Sequence, residues 1–493
     1  MQIQEPRKPY YPSLYQINTR PYVRALLGPG GGARGLDGIP DAEIDQIAHL
    51  GFDWVYLLGV WQTGAASRKI SRSNPEWRQE FRELLGDLRD DDICGSPFAV
   101  KGYHILASLG GNAALRRFRE RLSQRGLRLM LDFVPNHTAI DHPWVRQHPD
   151  FYVRGTEEQI RQEPENYTRL STIFAHGRDP HFPGWTDTLQ LNYSNPDLQQ
   201  AMTGELMRVA SLCDGVRCDM AMLILPDVFE RTWGVSAGPF WPRAIEAVRS
   251  RYPGFTFLAE VYWDLEWTLQ QQGFDYTYDK RLYDRLRDLQ ARPVREHFWA
   301  TPDYQDRSAR FLENHDEARA AAIFPPEVLR AAAVLAFLSP GLRFFHQGQL
   351  QGWEKKVPVQ LCRAPEQPTD RQIETFYLRL LELLRRDVPR NGKWLLLESS
   401  LAWEGNPTSE SFIAFAWSGE MGKRWLVVVN YAPHQSQCYL RLPFLEWVGA
   451  SLHLEDLLGF ASYDRQGDDL LKRGLYLDLP PWGYHVFEVI RLA

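Results

Sequence analysis

The chain has 493 residues, more than one ordinary domain, and its 44% hydrophobic and 24% charged content is typical of a soluble globular protein. A formal net charge of −6 gives no electrostatic case for binding nucleic acid or an anionic membrane surface. No segment approaches the roughly 20 apolar residues of a membrane-spanning helix, and residues 1–18 contain no apolar stretch long enough for a signal peptide.

The five cysteines are scattered along the chain, at positions 94, 213, 218, 362 and 438. Their spacings match neither a zinc site nor the disulfide framework of a small secreted domain. We therefore expect a protein of the reducing cytoplasm.

Taken from the N-terminus, stretches with the periodicity of strands and of helices alternate as far as residue 390. The predicted strands are 13–18, 52–61, 127–133, 215–219, 255–261, 275–278, 311–315 and 342–347, and the predicted helices include 41–50, 116–125, 196–212, 241–251, 328–338 and 373–386. About eight alternations are typical of an α/β protein with a parallel (β/α)₈ TIM barrel. A doubly wound open sheet is the structural alternative, but so many repeats favour closure.

Two regions depart from this alternation. Residues 139–189 are rich in Pro, His and aromatic side chains and are too long for a simple connection, which indicates an inserted B subdomain. Beyond residue 390 the pattern consists of short strands at 411–417, 425–431, 438–442 and 484–490, with nothing helical expected between them. We therefore predict a barrel of residues 1–138 and 190–390, the insert at 139–189, and a C-terminal antiparallel β-sandwich at 391–493.

Polar and mostly titratable residues follow four of the predicted strands. The candidates are Asp132, Asn136 and His137 after the third strand, Arg217 and Asp219 at the fourth, Glu260 at the fifth, and His315 and Asp316 at the seventh. Because the C-terminal ends of barrel strands converge on one face, we expect these side chains to gather there. Unpaired buried charges cost several kcal/mol each, so a purely structural role for this set is disfavoured.

The carboxylates fit the cleavage of a glycosidic bond, which needs two carboxyl groups in different protonation states. Arg217 and Asp219 are two positions apart on an extended segment, so they point to the same side, and the guanidinium favours the ionised carboxylate. Glu260 lies between Ala259 and Val261, an apolar setting that favours a protonated carboxyl group. An ordinary ion pair is the alternative for Arg217 and Asp219 taken alone.

Four motifs carry a family resemblance: LMLDFVPNHT (129–138), DGVRCDMAM (214–222), FLAEVYW (257–263) and FLENHDEAR (311–319). In order and spacing they resemble the α-amylase family of retaining α-glycosidases and transglycosidases, along nearly the whole chain. The resemblance implies a barrel, an insert after its third strand and a C-terminal β-sandwich. It also implies a reaction through a covalent glycosyl-enzyme.

The resemblance assigns a role to each candidate. The catalytic set consists of the nucleophile Asp219, the general acid and base Glu260, and the transition-state stabiliser Asp316. The substrate-binding set consists of Phe98, His137, Arg217 and His315, and the supporting set of Asp132 and Asn136.

The chain also departs from the family pattern at several positions. Gln190 stands where the family has an aspartate calcium ligand, and Leu223 where a histidine supplies a carbonyl ligand. Since calcium prefers several hard oxygens, including carboxylates, we expect no metal and no organic cofactor. Gly102 replaces a common aspartate, and Met222 replaces a lysine that helps bind the acceptor sugar in many amylases.

From this pattern we predict a cytoplasmic retaining glycoside hydrolase that cleaves α-glucosidic bonds, α-1,4 above all, in malto-oligosaccharides or related α-glucosides. Its expected partner is this small-molecule substrate, with no nucleic acid and no membrane. A glucosyl transferase, isomerase or phosphorylase of the same family is the alternative, because the half-reaction is shared and only the acceptor differs. A non-catalytic binding member is a weaker alternative, since all three carboxylates are present.

Overall fold

The computed structural model describes residues 10–28 and 34–492. The strands are Ser13–Asn18 (β1), Trp54–Leu58 (β2), Trp61–Thr63 (β3), Val100–Ile105 (β4), Arg128–Phe133 (β5), His137–Ala139 (β6), Tyr167–Arg169 (β7), Ile173–Ala175 (β8), Thr188–Gln190 (β9), Gly215–Cys218 (β10), Thr256–Ala259 (β11), Tyr276–Tyr278 (β12), Ser308–Arg310 (β13), Leu342–His346 (β14), Lys393–Leu397 (β15), Ser399–Leu401 (β16), Phe412–Ser418 (β17), Arg424–Asn430 (β18), Ser436–Leu440 (β19), Ser451–Asp456 (β20), Ser462–Gln466 (β21), Leu475–Leu479 (β22) and Tyr484–Arg491 (β23).

The α-helices are Thr19–Leu27 (α1), Asp41–His49 (α2), Ala65–Ser73 (α3), Pro75–Leu84 (α4), Gly111–Ser123 (α5), Trp144–Gln147 (α6), Glu157–Gln162 (α7), Pro196–Ala210 (α8), Pro226–Trp233 (α9), Trp241–Arg251 (α10), Glu266–Gln271 (α11), Lys280–Arg287 (α12), Ala291–His297 (α13), Pro302–Asp306 (α14), Ala320–Ile323 (α15), Pro326–Phe337 (α16), Arg371–Leu384 (α17), Asp387–Asn391 (α18) and Gly467–Arg473 (α19). Within the described part of the chain, no helix is long and apolar enough to cross a membrane.

Eight strands close into a barrel in the order β1-β14-β13-β12-β11-β10-β5-β2. Strands β2, β5, β10 and β11 pair in parallel with one another. Of these, β2, β10 and β11 are buried along their whole length, as in β2, whose sequence is WVYLL. Strands buried on both faces read as continuous apolar runs, which is why the sequence shows little alternation here. The predicted closed barrel is confirmed, and the open doubly wound sheet is excluded.

The register between three of these strands places the candidate residues side by side. Arg217 of β10 is level with Asp132 of β5. Asp219 and Glu260 each follow directly after a strand end, and their N–H groups donate to the carbonyls of Phe133 and Cys218 at 2.8 and 3.0 Å. Parallel pairing therefore continues past the strand ends and fixes the backbone of both carboxylate residues.

The chain forms two compact units, one of residues 15–278 with 355–367, and the other of residues 279–354 and 368–492 with the N-terminal segment that ends at Leu14. The predicted limits of barrel, insert and sandwich lie at other positions and stay a prediction. Within the first unit, the region after β5 forms two small antiparallel sheets, β6 with β9 and β7 with β8. In the first of these sheets His137 pairs with Gln190.

The C-terminal part of the second unit forms a six-stranded antiparallel sheet, β15-β17-β18-β23-β20-β21, and a three-stranded sheet, β16-β19-β22. Alternate residues of both sheets contribute to one apolar core, for example Phe412, Ala414 and Ala416 of β17 and Leu475 and Leu477 of β22. This period of two confirms the predicted antiparallel β-structure.

Two local expectations are wrong. Helix α19 interrupts the C-terminal strands, which the sequence did not indicate because its segment is short and polar apart from two leucines. The seventh barrel strand is Ser308–Arg310 and not 311–315, because the Asn314 side chain accepts from the N–H groups of Asp316 and Glu317 and holds this stretch in a turn.

Candidate active site

One buried arginine organises the first part of the site. Arg217 Nη1 lies 2.7 Å from Asp219 Oδ1 and 3.6 Å from Asp132 Oδ1, and its Nη2 lies 2.7 Å from Glu260 Oε2. All four side chains are buried, and we call them the carboxylate cluster. A guanidinium presents a planar fork of donors, so it can hold several carboxylates in fixed positions at once.

Asp132 is held on every side by hydrogen bonds. Its Oδ1 accepts from the Tyr56 hydroxyl at 2.5 Å, and its Oδ2 accepts from the Gly59 N–H at 3.0 Å. Its backbone carbonyl accepts from Trp61 Nε1 at 2.8 Å. Burial raises the pKa of Tyr56 well above its ordinary value, so this phenol stays a neutral donor. These contacts suit a residue that positions Arg217.

Glu260 lies in a polar setting, contrary to the expectation from its apolar neighbours. Besides Arg217, the Met220 N–H donates to its Oε2 at 2.7 Å, and the Tyr262 hydroxyl donates to its Oε1 at 3.0 Å. In an extended segment Ala259 and Val261 point away from Glu260, whereas Tyr262, two residues on, points the same way. Arg217 therefore pairs with Glu260 as well as with Asp219, so an arginine contact does not set one of these carboxylates apart from the other.

The backbone is strained directly after Asp219 and three residues after Glu260. Met220 has φ 43°, and Trp263 and Asp264 have φ 63° and 61°, all in the left-handed region. Such a conformation costs a non-glycine residue about 1–3 kcal/mol and persists only where its surroundings fix it. At Met220 the strained turn directs the N–H group to Glu260.

Two predicted substrate-binding residues, Phe98 and His137, belong to the same compact unit as the carboxylate cluster. The Arg217 guanidinium is 5.2 Å from the centre of the Phe98 ring, a cation–π contact. His137 is buried, and its ring centre lies 5.1 Å from that of Trp185. Burial lowers the pKa of His137 to about 3, so the imidazole is neutral near pH 7 and can both donate and accept a hydrogen bond.

The remaining two candidates lie in the other unit. His315 Nε2 is 3.0 Å from Asp316 Oδ2; the His315 side chain is buried, whereas the Asp316 side chain is 42% exposed. Within the same motif, Glu313 is buried and pairs with Arg319 at 2.9 Å. Burial raises the pKa of Glu313 to about 7, and its contacts with Arg319 and with the Ala320 N–H indicate a structural acid that the sequence analysis did not single out.

The catalytic-domain profile of α-amylases matches residues 30–374. The chain belongs to the α-amylase family. It is thus an enzyme of a family that includes amylases, maltosyltransferases and trehalose synthases.

Three relatives illustrate this similarity. An α-amylase of Dictyoglomus thermophilum is 23% identical over 59% of this chain and 60% of its own length. An α-1,4-glucan:maltose-1-phosphate maltosyltransferase of Pseudomonas aeruginosa is 25% identical over 84% of this chain and 60% of its own length. The crystal structure of a maltogenic α-amylase from Thermotoga neapolitana superposes with a TM-score of 0.71 at 20% identity, over 98% of this chain and 99% of that one. The chain thus spans about three-fifths of the length of these two sequence relatives.

The calcium position of the α-amylase family has a different chemistry here. Gln190 Nε2 donates to Asn136 Oδ1 at 2.9 Å, to the Asn136 carbonyl at 3.0 Å and to the Leu191 carbonyl at 3.1 Å. The oxygens that would face a cation therefore already face an N–H donor. Calcium needs six to eight oxygens, with carboxylates among them, so this arrangement does not fit the ion.

Sequence reasoning missed several residues that hold the carboxylate cluster in place. Tyr56 and Gly59 hold Asp132, and Tyr262 holds Glu260. Only Tyr262 carried a readable signal, because it lies two positions after Glu260 in FLAEVYW. Tyr56 lies in an apolar strand, and nothing local in the sequence shows which carboxylate it reaches.

Proposed function

We propose that the protein is a retaining α-glycosidase that hydrolyses α-glucosidic bonds, above all α-1,4 bonds of malto-oligosaccharides. The observation that carries this proposal is the pairing of Asp219 and Glu260 with the two Nη atoms of Arg217 at 2.7 Å each. Retaining glycosidases need two carboxyl groups at a separation of about 5 Å, and a shared guanidinium supports such a short spacing.

In the first step Asp219 attacks the anomeric carbon. We assign the attack to Oδ2, because Oδ1 pairs with Arg217. As the ester bond to the sugar forms, the glycosidic C–O bond breaks and Glu260 gives its proton to the leaving oxygen. We assign that proton to Oε1, since Oε2 receives the contacts of Arg217 and Met220.

In the second step water attacks the anomeric carbon of the glycosyl-enzyme. Glu260, now ionised, takes a proton from this water, the sugar–ester bond breaks and Asp219 is regenerated. By the family pattern, Asp316 and His315 bind sugar hydroxyls and Asp316 stabilises the transition state. Phe98 and the neutral His137 contact the sugar in the same assignment.

A transferase is the second candidate, and the departure from the amylase pattern at Met222 keeps it open. This residue replaces the lysine that binds the acceptor in many amylases, and its side chain is fully buried. The position therefore presents no charge to an acceptor sugar. The Pseudomonas aeruginosa relative is itself a maltosyltransferase and aligns with 84% of this chain. A non-catalytic role has less support, because all the carboxylates of the family are present.

Neither calcium nor an organic cofactor enters the proposed reaction. Gln190 supplies the donor that organises Asn136 and Leu191, and the carboxylates and water complete the chemistry. A cytoplasmic location is part of the proposal and is supported by the five cysteines, all of which are free thiols.

Product analysis tests the proposed function. The protein is incubated with malto-oligosaccharides, trehalose, sucrose and isomaltose, each with and without inorganic phosphate, and the products are separated by chromatography. Glucose or maltose released from malto-oligosaccharides without phosphate supports hydrolysis. Products longer than the substrate establish transfer instead, turnover that requires phosphate establishes phosphorolysis, and no turnover of any substrate contradicts the proposal.

A further inference from the structure

A cavity of about 610 Å³ in the unit of residues 15–278 and 355–367 lies outside the site described above. Its lining includes Arg20, Arg24, Arg68, Lys101, Cys94 and Cys362. Basic side chains thus surround two thiols that are far apart in sequence. We call Arg20, Arg24, Cys94 and Cys362 the thiol cluster.

An isolated antiparallel bridge between Ile93 and Leu361 brings the two thiols together. Both bridge residues are buried in a small apolar core. Because side chains alternate along extended backbone, the next residues, Cys94 and Cys362, face the opposite side and line the cavity. In this antiparallel register Cys94 lies opposite Gln360 and Cys362 lies opposite Asp92, so the two thiols are diagonal neighbours on one face of the strand pair.

Each sulfur also receives a hydrogen bond from a guanidinium. Arg20 Nη1 donates to Cys94 Sγ at 3.2 Å, and Arg24 Nη1 donates to Cys362 Sγ at 3.0 Å. Two fixed cations so close to the sulfurs repel a metal ion and stabilise a thiolate. The neighbouring Cys362 thiol, together with Arg20, lowers the pKa of Cys94 to about 6, and the proximity of Cys94 raises the pKa of Cys362.

The other three cysteines lie in a different environment. Cys213, Cys218 and Cys438 are buried, and burial raises the pKa of each thiol. Cys94 and Cys362 are partly exposed at the cavity. A small oxidant can therefore reach this pair, whereas the buried thiols are shielded and protonated.

We propose that Cys94 and Cys362 form a modification site at which a hydroperoxide makes a reversible disulfide. The Cys94 thiolate attacks the hydroxyl oxygen of the hydroperoxide, and the O–O bond breaks. That oxygen, with its hydrogen, stays on Cys94 as a sulfenic acid, while the other oxygen takes up a proton and leaves as water or an alcohol. The Cys362 sulfur then attacks Cys94 Sγ, the S–O bond breaks and water leaves. The thiol pair has lost two electrons and the peroxide has gained them. A dithiol reductant reverses the change by exchange.

Mass spectrometry of the full chain tests this proposal. The reduced, desalted protein is treated with hydrogen peroxide and then with N-ethylmaleimide in denaturant. We expect the alkylated thiols to fall from five to three. Before alkylation the intact mass should fall by about 2 Da, the two hydrogen atoms lost in a disulfide. Peptide mapping without reductant should find Cys94 joined to Cys362, and dithiothreitol should restore five thiols.

Two variants and a control sharpen this test. In Cys362→Ser, oxidation should stop at a sulfenic acid on Cys94 that dimedone traps, and Cys94→Ser should form no disulfide. Cys438→Ser should still lose two thiols, because that residue is buried and belongs to the other compact unit. Retention of all thiols by the wild type, or loss that maps to Cys213, Cys218 or Cys438, overturns the proposal. The wild-type mapping is decisive even where a variant does not fold, and no result depends on glycosidase activity.

Discussion

The carboxylate cluster and the thiol cluster use the same donor group in different ways. Arg217 holds its carboxylates at 2.7 Å, among side chains that are all buried. Arg20 and Arg24 hold two sulfurs at 3.2 and 3.0 Å, at the edge of a cavity. A carboxyl group is ordinarily ionised at neutral pH, whereas a thiol is ordinarily protonated. Apart from the proton that Glu260 gives up and regains in the proposed reaction, the first cluster is therefore a lasting arrangement of charge, whereas the second depends on the state of its sulfurs.

This difference shows what burial adds to an ion pair. A buried guanidinium that lost its carboxylates would leave an uncompensated charge at a cost of several kcal/mol, so the carboxylate cluster is locked as a unit. A partly exposed thiolate can be protonated or oxidised, because water and small oxidants reach the sulfurs through the cavity. The same fork of N–H donors thus serves as a rigid scaffold in one place and as a reactive site in the other.

The largest effect should come from the carboxylate cluster itself. Asp219→Asn keeps the shape but removes the nucleophile, so kcat/KM on maltotetraose should fall on the order of 10⁴-fold, as when a covalent catalyst loses its attacking group. Circular dichroism should show an unchanged fold. Asp227→Asn, on the exposed start of α9, is the matched control and should keep its activity. Full activity in Asp219→Asn would remove the proposed mechanism.

Paired arginine variants compare the clusters directly. Arg217→Lys keeps the charge but has one ammonium where two Nη atoms hold Asp219 and Glu260, so kcat/KM should fall about 10²-fold or more. Arg20→Lys makes the same change in the thiol cluster, and there we expect a loss below about tenfold, since it touches no reacting group. Equal losses of kcat/KM in the two variants would show that the guanidinium of Arg217 matters no more for catalysis than that of Arg20.

Tyr262→Phe tests a single contact inside the carboxylate cluster. The variant loses the hydroxyl that donates to Glu260 Oε1 at 3.0 Å. A hydrogen bond to a charged group is worth about 1.5–3 kcal/mol, so kcat/KM should fall about 10- to 100-fold. Tyr252→Phe, whose hydroxyl accepts from Arg251, should change kcat/KM by less than a factor of about two. An unchanged kcat/KM in Tyr262→Phe would mean that this contact does not position the acid.

The calcium position offers a third comparison, because the neutral amide of Gln190 stands where the α-amylase family has a charged aspartate. Gln190→Asp removes the donor that faces Asn136 Oδ1 and two carbonyls and adds the carboxylate that calcium prefers. Isothermal titration should then show saturable calcium binding to this variant, and none to the wild type or to Gln190→Asn. Calcium binding by the wild-type protein at this position would contradict the proposed role of Gln190.

Much of the carboxylate cluster could be read from the sequence, because its signals are local. Arg217 and Asp219 share one strand end, and Glu260 directly follows the next strand, so periodicity and strand order predict that these side chains lie close together. The setting of Glu260 could not be read in this way. Its contact with the Met220 N–H depends on a left-handed turn that the sequence of that segment does not indicate.

The thiol cluster and the seventh strand show the opposite case. Cys94 and Cys362 meet through one isolated bridge, and neither flanking segment has a strand pattern, so sequence alone gave no reason to pair them. The seventh strand was misplaced because the apolar start of FLENHDEAR resembles a strand, whereas Asn314 holds the stretch in a turn. In both cases a single long-range bridge or a side-chain cap decides the backbone, and neither leaves a periodic signal.

The smallest effect concerns the charge state of the thiol cluster. The pKa of Cys94 is lowered to about 6, so its thiolate predominates at pH 7 and gives way to the thiol as the pH falls through 6. The rate at which iodoacetamide alkylates Cys94, followed by peptide mapping, should rise with pH and reach half of its maximum near pH 6. Arg20→Gln removes a cation and a donor from Cys94 Sγ, so this midpoint should move to higher pH. A wild-type midpoint near 8.5, the ordinary value of a cysteine, would show that the guanidiniums do not stabilise a thiolate. In that case Arg20 and Arg24 would face neutral thiols at pH 7, and only the carboxylate cluster would pair its arginine with negative charge.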